Sequence, residues 1–380
     1  MLALGLVAWL LSVDRKRIPW RVVLWGTGLQ LVFAVFILKT PAGAVLFDWL
    51  NTGVVALLGY TVDGARFIFG NLVYNNVPVG TGSPDPASGF TPIPGQVANT
   101  GAFFAFNVLP TIIFFSSLMT VLYHLGVMQL VVKGVAWVMQ RTMRTSGAET
   151  LSAAGNIFVG QTEAPLLIKP FVERMTRSEL MAVMTGGFAT VAGGVMAAYV
   201  GMLLAFFPDI AGHLMAASVM SAPAALVIAK LMHPEDGEPE TAGTLELDVE
   251  RPDVNAIDAA ARGAGEGLFL ALNVGAMLLA FVALVALVDG LLGLAGGWVG
   301  MPDLQLQTIL GWALAPVAWI MGVPWHDATT VGALFGMKTA LNEFIAYLQL
   351  SSLLGEGTSL SPRSVVIAVY GLSGFANFSS

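Results

Sequence analysis

Five stretches of this chain, residues 20–38, 103–123, 180–207, 214–231 and 267–292, run apolar with at most one charged side chain each. A helix that crosses a hydrocarbon core needs roughly 20 such residues, so these segments read as membrane spans. The solvent of the fold is lipid, where only helices and closed barrels satisfy their own backbone. The stretches are too long for the short alternating strands of a barrel. The predicted fold class is therefore an all-α polytopic membrane protein. Composition agrees, at 56% hydrophobic and 11% charged residues and a mean hydropathy of +0.78. The 43 Gly and 19 Pro residues exceed what plain helical spans need and point to close helix contacts and broken helices. The absence of Cys excludes a disulfide framework and thiol ligands. Nine of the 24 acidic residues fall between Glu235 and Asp258, so the net charge of −7 belongs largely to one segment. No basic face suited to nucleic acid exists.

Cytoplasmic loops carry Lys and Arg in excess, which orients the spans. Arg15, Lys16, Arg17 and Arg21 lie between the first two apolar segments, and Lys133, Arg141 and Arg144 follow the third. Lys169, Arg174 and Arg177 precede residues 180–207, while Lys230, Arg251 and Arg262 lie at and beyond the end of 214–231. These 13 of the 17 basic residues are cytoplasmic if the N-terminus is outside. Lys39, Arg66, Lys338 and Arg363 form no opposing cluster. Residues 1–11 are short for a full span before Asp14 and are read as a shortened helix or the remainder of a longer one. No basic n-region marks them as a cleaved leader.

Residues 47–58 and 64–73 are moderately apolar, but the segment carries Asp48, Asn51, Asp63, Arg66 and Asn71, which predicts a helix lying along the interface. Residues 74–100, rich in Gly, Pro, Asn and Ser, read as a loop outside the membrane. The Pro-bearing acidic run that begins at His233 reads as a cytoplasmic linker over 233–262. The predicted organisation is an N-terminal scaffold over 1–144, a first repeat over 145–232, the linker, a scaffold helix over 263–300 and a second repeat over 301–380.

Two places interrupt the transmembrane pattern. In 149–171 the run Gly155-Asn156-Ile157-Phe158-Val159-Gly160-Gln161-Thr162-Glu163-Ala164-Pro165 sits inside an apolar stretch flanked by basic residues at both ends. A segment that enters and leaves on one side is a re-entrant hairpin, and its turn places Gln161, Thr162 and Glu163 at membrane depth. Irregular backbone is tolerated there only beside a polar cavity, and a carboxylate there is a functional hypothesis by default. In 304–350, apolar residues surround Lys338, Asn342 and Glu343, with a turn predicted around Pro324, Trp325, His326 and Asp327. This reads as a second hairpin entering from the outside. Each hairpin precedes a small-residue helix, Gly186 to Gly194 in the first half and Gly371 to Ser380 in the second. Inverted repeats of discontinuous helices that meet near the midplane are a transporter design. The repeat is architectural and weak in residue identity.

Three separated motifs carry a resemblance. The turn Gln161-Thr162-Glu163-Ala164-Pro165, the run Gly336-x-Lys338-x-x-x-Asn342-Glu343-Phe344-Ile345-Ala346-Tyr347, and Gly374-Phe375-Ala376-Asn377-Phe378-Ser379-Ser380 resemble, in order, the signature elements of concentrative nucleoside transporters. The resemblance extends from about Asp14 to Ser380 and includes Phe106-Asn107-Val108-Leu109-Pro110. Related chains continue past that last run with the rest of the helix and one more span. The resemblance implies a sodium-driven nucleoside symporter of a bacterial inner (plasma) membrane, built as a scaffold plus a transport domain and assembled as a homotrimer.

In the family pattern Glu343, Asn377 and Ser380 clamp the ribose, and Gln161, Thr162 and Glu163 read the base edge beside Val195 and Phe375. The chemistry agrees, because carboxylates accept strong charge-assisted hydrogen bonds from hydroxyls. Gly160 followed by Gln161 resembles members that accept uridine and tolerate purines. The co-transported sodium ion falls, in the same pattern, on Asn156, the Val159 carbonyl, Thr190 and the Val191 carbonyl. Such neutral oxygens suit a hard monovalent cation.

Proton coupling through a desolvated Glu163 or Glu343 is the alternative driving force; an Asn156/Thr190 pair is an odd choice for it. A passive channel and an intramembrane enzyme using Glu163 and Glu343 as acid and base are the remaining readings. The enzyme lacks a nucleophile with an adjacent base, a metal set and a phosphate loop, and hairpins on both sides of the pathway argue for alternating access. His124, His213, His233 and His326 have no metal-ligand spacing and read as structural. Lys338, five residues before Glu343, is off its helical face and is expected to snorkel or to pair with another element rather than touch substrate.

Overall fold

The computed structural model describes residues 2–74, 76–81, 91–99, 103–161, 164–243, 253–298, 300–358 and 360–378. The N-terminal part comprises α1 (Leu2–Leu10), α2 (Trp20–Lys39), α3 (Pro41–Phe69), the strands β1 (Asn76–Thr81) and β2 (Thr91–Asn99), α4 (Leu109–His124) and α5 (Val127–Met143). Thr40 separates α2 from α3: its backbone is extended, its hydroxyl accepts from the Gly43 amide, and Pro41 starts the next helix. Gly43 lies so close beneath α2 that a Cβ there would sit 1.8 Å from the Phe36 carbonyl oxygen. Only glycine allows this approach.

One difference from expectation falls here, within 74–100. The helix expected over 47–73 is present: residues 47–69 belong to the 29-residue helix α3 and 70–73, with Asn71, to a 3-10 turn after it, and the two together are long and apolar enough by length and composition to cross a membrane. Its polar residues are accommodated at its surface, where Asn51 donates to the Pro208 carbonyl and accepts from the Gly212 amide. Within 74–100, β1 and β2 pair antiparallel from Asn76 opposite Asn99 to Thr81 opposite Thr91. Pro78, Gly80, Pro92, Pro94 and Gly95 interrupt the alternation that would otherwise announce strands.

The rest is two similar series. The first runs through α6 (Gly147–Gly155), a 3-10 arm (Ala164–Arg174), α7 (Arg177–Ala189), α8 (Gly193–Leu203) and α9 (Ile210–Met232). Capping boxes of Ser146 with Glu149 and Thr176 with Glu179 start α6 and α7. The 42-residue α10 (Ala256–Gly297) then packs along α4 through Gly263 and Gly267, where a Cβ would lie 2.4 Å from the Thr120 hydroxyl and 2.8 Å from Ile113 Cα. It begins within the segment expected to be linker, capped by Asn255. The second series runs through α11 (Leu306–Ile320), α12 (Trp325–Ala340), α13 (Glu343–Gly355) and α14 (Pro362–Leu372).

A sharp bend of 116° separates α11 from α12, where the turn at Pro324 was expected. Glu343, however, belongs to a second break: α12 ends at Ala340, and Asn342 caps α13 by accepting from the Ile345 amide. The second hairpin therefore has α12 and α13 as its arms and residues 341–342 as its tip, one helix later than the proline suggests. The two hairpins and broken helices bury the core. Tyr199, Tyr347, Leu203, Leu226 and Leu350 are among its fully buried side chains. Large apolar side chains such as Trp49, Phe67, Leu279 and Trp298 are exposed on α3 and beyond α9, as a lipid-facing surface requires.

Candidate substrate and ion site

α7 and α14 both give way to non-helical chain, and they do so against each other. α7 ends at Ala189, Thr190 to Ala192 are extended, and α8 restarts at Gly193. α14 ends at Leu372 and gives way to non-helical chain through Phe378. A Cβ at Gly374 would lie 2.7 Å from the Phe188 carbonyl oxygen, so the second break docks backbone-on-backbone upon the first. The hairpin tips close on the same place. The Gly193 amide donates to the Phe158 carbonyl at 3.3 Å, and the Phe378 amide donates to the Thr339 carbonyl at 3.0 Å.

Of the expected ion ligands, Asn156 and Thr190 are 0% and 2% exposed, and Val159 and Val191 are also buried. They converge. A Cβ on Gly186 would sit 3.4 Å from Asn156 Nδ2, and the Thr190 hydroxyl donates to the Gly186 carbonyl at 3.0 Å. Neither side-chain polar atom of Asn156 has a hydrogen-bond partner. An amide buried without partners costs several kcal/mol on the order given by transfer data, and a cation held by its oxygen offsets that cost. Neutral oxygens next to the C-terminal end of α7, where the helix dipole is negative, suit such an ion.

Of the expected substrate residues, Glu343 is 3% exposed at the N-terminus of α13. Its Oε1 accepts from the Tyr199 hydroxyl at 3.0 Å and its Oε2 from Asn377 Nδ2 at 3.3 Å. The expected pair Glu343 and Asn377 is thus brought together across α13 and the second break. Val195 is buried in the core cluster against which Phe375 packs. Gln161 lies against α7, with its Cβ 3.3 Å from where a Cβ on Gly187 would be. Thr162, Glu163 and Ser380 lie outside the described residues.

Sequence reading missed Tyr199. It stacks on Tyr347 at 4.2 Å between ring centroids, meets Phe344 edge-on, and aims its hydroxyl at Glu343. The signal was available, because Tyr199 is four residues after Val195 and so on the same helical face. Lys338 pairs with another element as expected, donating to the Gly371 carbonyl at 3.0 Å.

At one end of the molecule the segment expected to be a plain linker folds back on the first hairpin. The Thr241 carbonyl and hydroxyl accept from the Gly147 and Ala148 amides, and Ser178 donates to the His233 carbonyl. Lys230, 4% exposed, meets Glu149 at 2.7 Å, the Ser178 hydroxyl at 2.9 Å and Glu235 at 3.0 Å. Glu235 in turn accepts from Thr176, and Ser146 donates to Glu179, which closes a ring of charges and caps. Burial pushes the Glu235 carboxyl up, but the Lys230 charge and the hydrogen bonds from Lys230, Gly237 and Thr176 outweigh it and hold it below 4.5. Its contribution to stability is therefore present above that ordinary value and is lost as pH falls through the lower folded-state one.

Hairpins and broken helices that interlock around buried polar groups define a helical membrane transporter of the inverted-repeat type. Family models extend this. The "Na+ dependent nucleoside transporter" N-terminal model matches residues 1–72 and the C-terminal one 213–380, with a "Nucleoside recognition" gate model over 105–206. An uncharacterized transporter of Haemophilus influenzae is 43% identical over 388 residues, covering 100% of this chain and 85% of its own. Sodium/nucleoside cotransporter 1 of Mus musculus is 41% identical over 382 residues, covering 97% of this chain and 54% of the relative. The chain thus spans about half the length of the mammalian relatives it matches, at 51% and 54%. The solved structure of CNTnw in an inward-facing substrate-bound state superposes with a TM-score of 0.86 at 42% identity, covering 100% of this chain and 85% of that one. A substituted CNTnw in an outward-facing state superposes at 0.85 and 41%, covering 100% and 84%. The chain belongs to the sodium-dependent, concentrative nucleoside transporter family, a family of transporters and not of enzymes.

Proposed function

We propose that this protein is a secondary active symporter that imports nucleosides, uridine among them, by coupling their movement to a sodium gradient through alternating access. The observation that carries the reading is the buried, unpartnered Asn156 amide beside the Thr190 break, on the hairpin that also bears Gln161. Glu343 and Asn377 take the ribose diol, with Ser380 as the third member of the clamp. Gln161, Thr162 and Glu163 read the base, with Val195 and Phe375 as the apolar contact. Asn156, Val159, Thr190 and Val191 hold the sodium ion. In this reading 1–144 and 263–300 are scaffold, α3 lies along the interface, and 145–232 and 301–380 carry the solute. The ring around Lys230 is cytoplasmic and the N-terminus outside, in the inner (plasma) membrane of a bacterium. The family models and the name of the mouse sodium/nucleoside cotransporter support the substrate class. A competition panel of nucleosides, nucleobases and sugars against radiolabelled uridine tests the two-part site: nucleosides compete, and equal competition by free bases or sugars overturns it.

Sodium is favoured over protons because the Asn156 and Thr190 oxygens do not titrate. An ion between the first hairpin and the α7 break fixes the geometry of the base pocket, so ion and nucleoside raise each other's affinity by the same factor. Replacing Thr190 by Val removes one oxygen at nearly constant volume. It is expected to raise the sodium concentration for half-maximal uptake roughly tenfold, equivalent to about 1.4 kcal/mol. High sodium restores uptake. Unchanged sodium dependence removes Thr190 from the site. Assembly is proposed to be trimeric through the scaffold; mass in mild detergent checks it, and a monomer contradicts it.

A further inference from the structure

The hairpin tips carry a residue-level repeat. Ala154-x-Asn156-x-Phe158-Val159 matches Ala340-x-Asn342-x-Phe344-Ile345, and Gly187-Phe188-Ala189 at the first helix break matches Gly374-Phe375-Ala376 at the second. In the hairpin register Ser152 corresponds to Lys338, each four residues before the Asn, in the last turn of the hairpin's first arm. Ser152 is 0% exposed with a partnerless hydroxyl. In the second half, Lys338 carries its ammonium from that turn to the carbonyl of Gly371 at the C-terminal end of α14. In the first half the partnerless Asn156 amide lies against Gly186, in the last turn of α7. Both junctions join a hairpin arm to the C-terminal end of the first half of a broken helix, where the helix dipole is negative and attracts a cation. One junction has partnerless neutral side chains, and the other has a covalently attached positive charge.

We propose that Lys338 is a tethered cation: its ammonium supplies, at the hairpin–helix junction of the second repeat, the positive charge that the transported ion supplies at the junction of the first, and removing it opens a second cation site there. The inference rests on the reading of Asn156 and Thr190 as the first ion site.

The test measures labelled sodium and uridine fluxes together in proteoliposomes for the parent, Lys338→Ser, Lys338→Arg and Asn156→Leu. Lys338→Ser, which copies Ser152, is expected to need higher sodium and to move about one more sodium per uridine, with a steeper sodium dependence; Lys338→Arg keeps the parental ratio. A parental ratio in Lys338→Ser, or loss of uptake at every sodium concentration, overturns the proposal. Melting Lys338→Ala with and without sodium or propylammonium separates misfolding from a lost site. Stabilisation larger than the parent's supports a cation in place of the amine. Equal stabilisation, or a protein not recovered even in saturating sodium, refutes it. Asn156→Leu reports on the first site independently: unchanged sodium dependence there overturns that reading while the Lys338→Ser ratio still decides this one.

Discussion

Replacing Glu343 by glutamine is expected to remove nucleoside binding while the protein still assembles and melts close to the parent. The carboxylate sits between two donors, the Tyr199 hydroxyl at 3.0 Å and the Asn377 amide at 3.3 Å, and in the proposed complex also accepts from the ribose diol. A glutamine offers one accepting oxygen, and its NH2 must face one of those donors. The variant thus loses a charge and acquires a donor–donor conflict. Loss of a hydrogen bond to a charged group costs about 1.5–3 kcal/mol, roughly ten- to a hundredfold in affinity. Equilibrium binding of labelled uridine to purified protein checks it, and near-parental affinity removes Glu343 from the site. Tyr199→Phe, which removes one neutral donor, is expected to cost less.

Lys230→Met is expected to be the most destabilising substitution in the first repeat. Its side chain is 5% exposed and that of its partner Glu149 is 1% exposed; without the ammonium, Glu149 remains buried near Glu179. Breaking a buried pair from one side costs on the order of 3–5 kcal/mol, which in a chain of this size lowers the apparent melting temperature by roughly 4–6 °C. The double variant Lys230→Met with Glu149→Gln is expected to recover part of the loss, because the orphaned charge is gone. Thermal unfolding in detergent measures both. A Lys230→Met protein that melts with the parent contradicts a structural role for the ring.

The first hairpin was legible in the sequence because its basic flanks and its Gly, Asn and Pro residues break a helix conspicuously. The second was displaced by one helix, since Pro324 advertises a bend whereas residues 341–342 interrupt helix-compatible sequence for only two positions. The register between the halves shifts from 186 residues at Asn156/Asn342 to 187 at Gly187/Gly374, which hides the repeat from inspection. Glu343 and Asn377 were readable as a pair from their motifs. Tyr199 was readable only through its spacing from Val195, because an aromatic residue in an apolar helix also has a packing explanation. The closure of 233–241 over the first hairpin could not be read at all: Glu235 and Thr241 act through partners more than fifty residues away in sequence, Thr176 and Ala148, and loop residues carry no periodicity that reports such contacts.

Sodium-coupled import is tested most directly by following labelled uridine into proteoliposomes under an inward sodium gradient, an inward proton gradient, or neither. Sodium is expected to drive transient accumulation above the external concentration, and an ionophore that dissipates the sodium gradient abolishes it. Uptake that only equilibrates uridine under every condition, or that follows the proton gradient and ignores sodium, contradicts it.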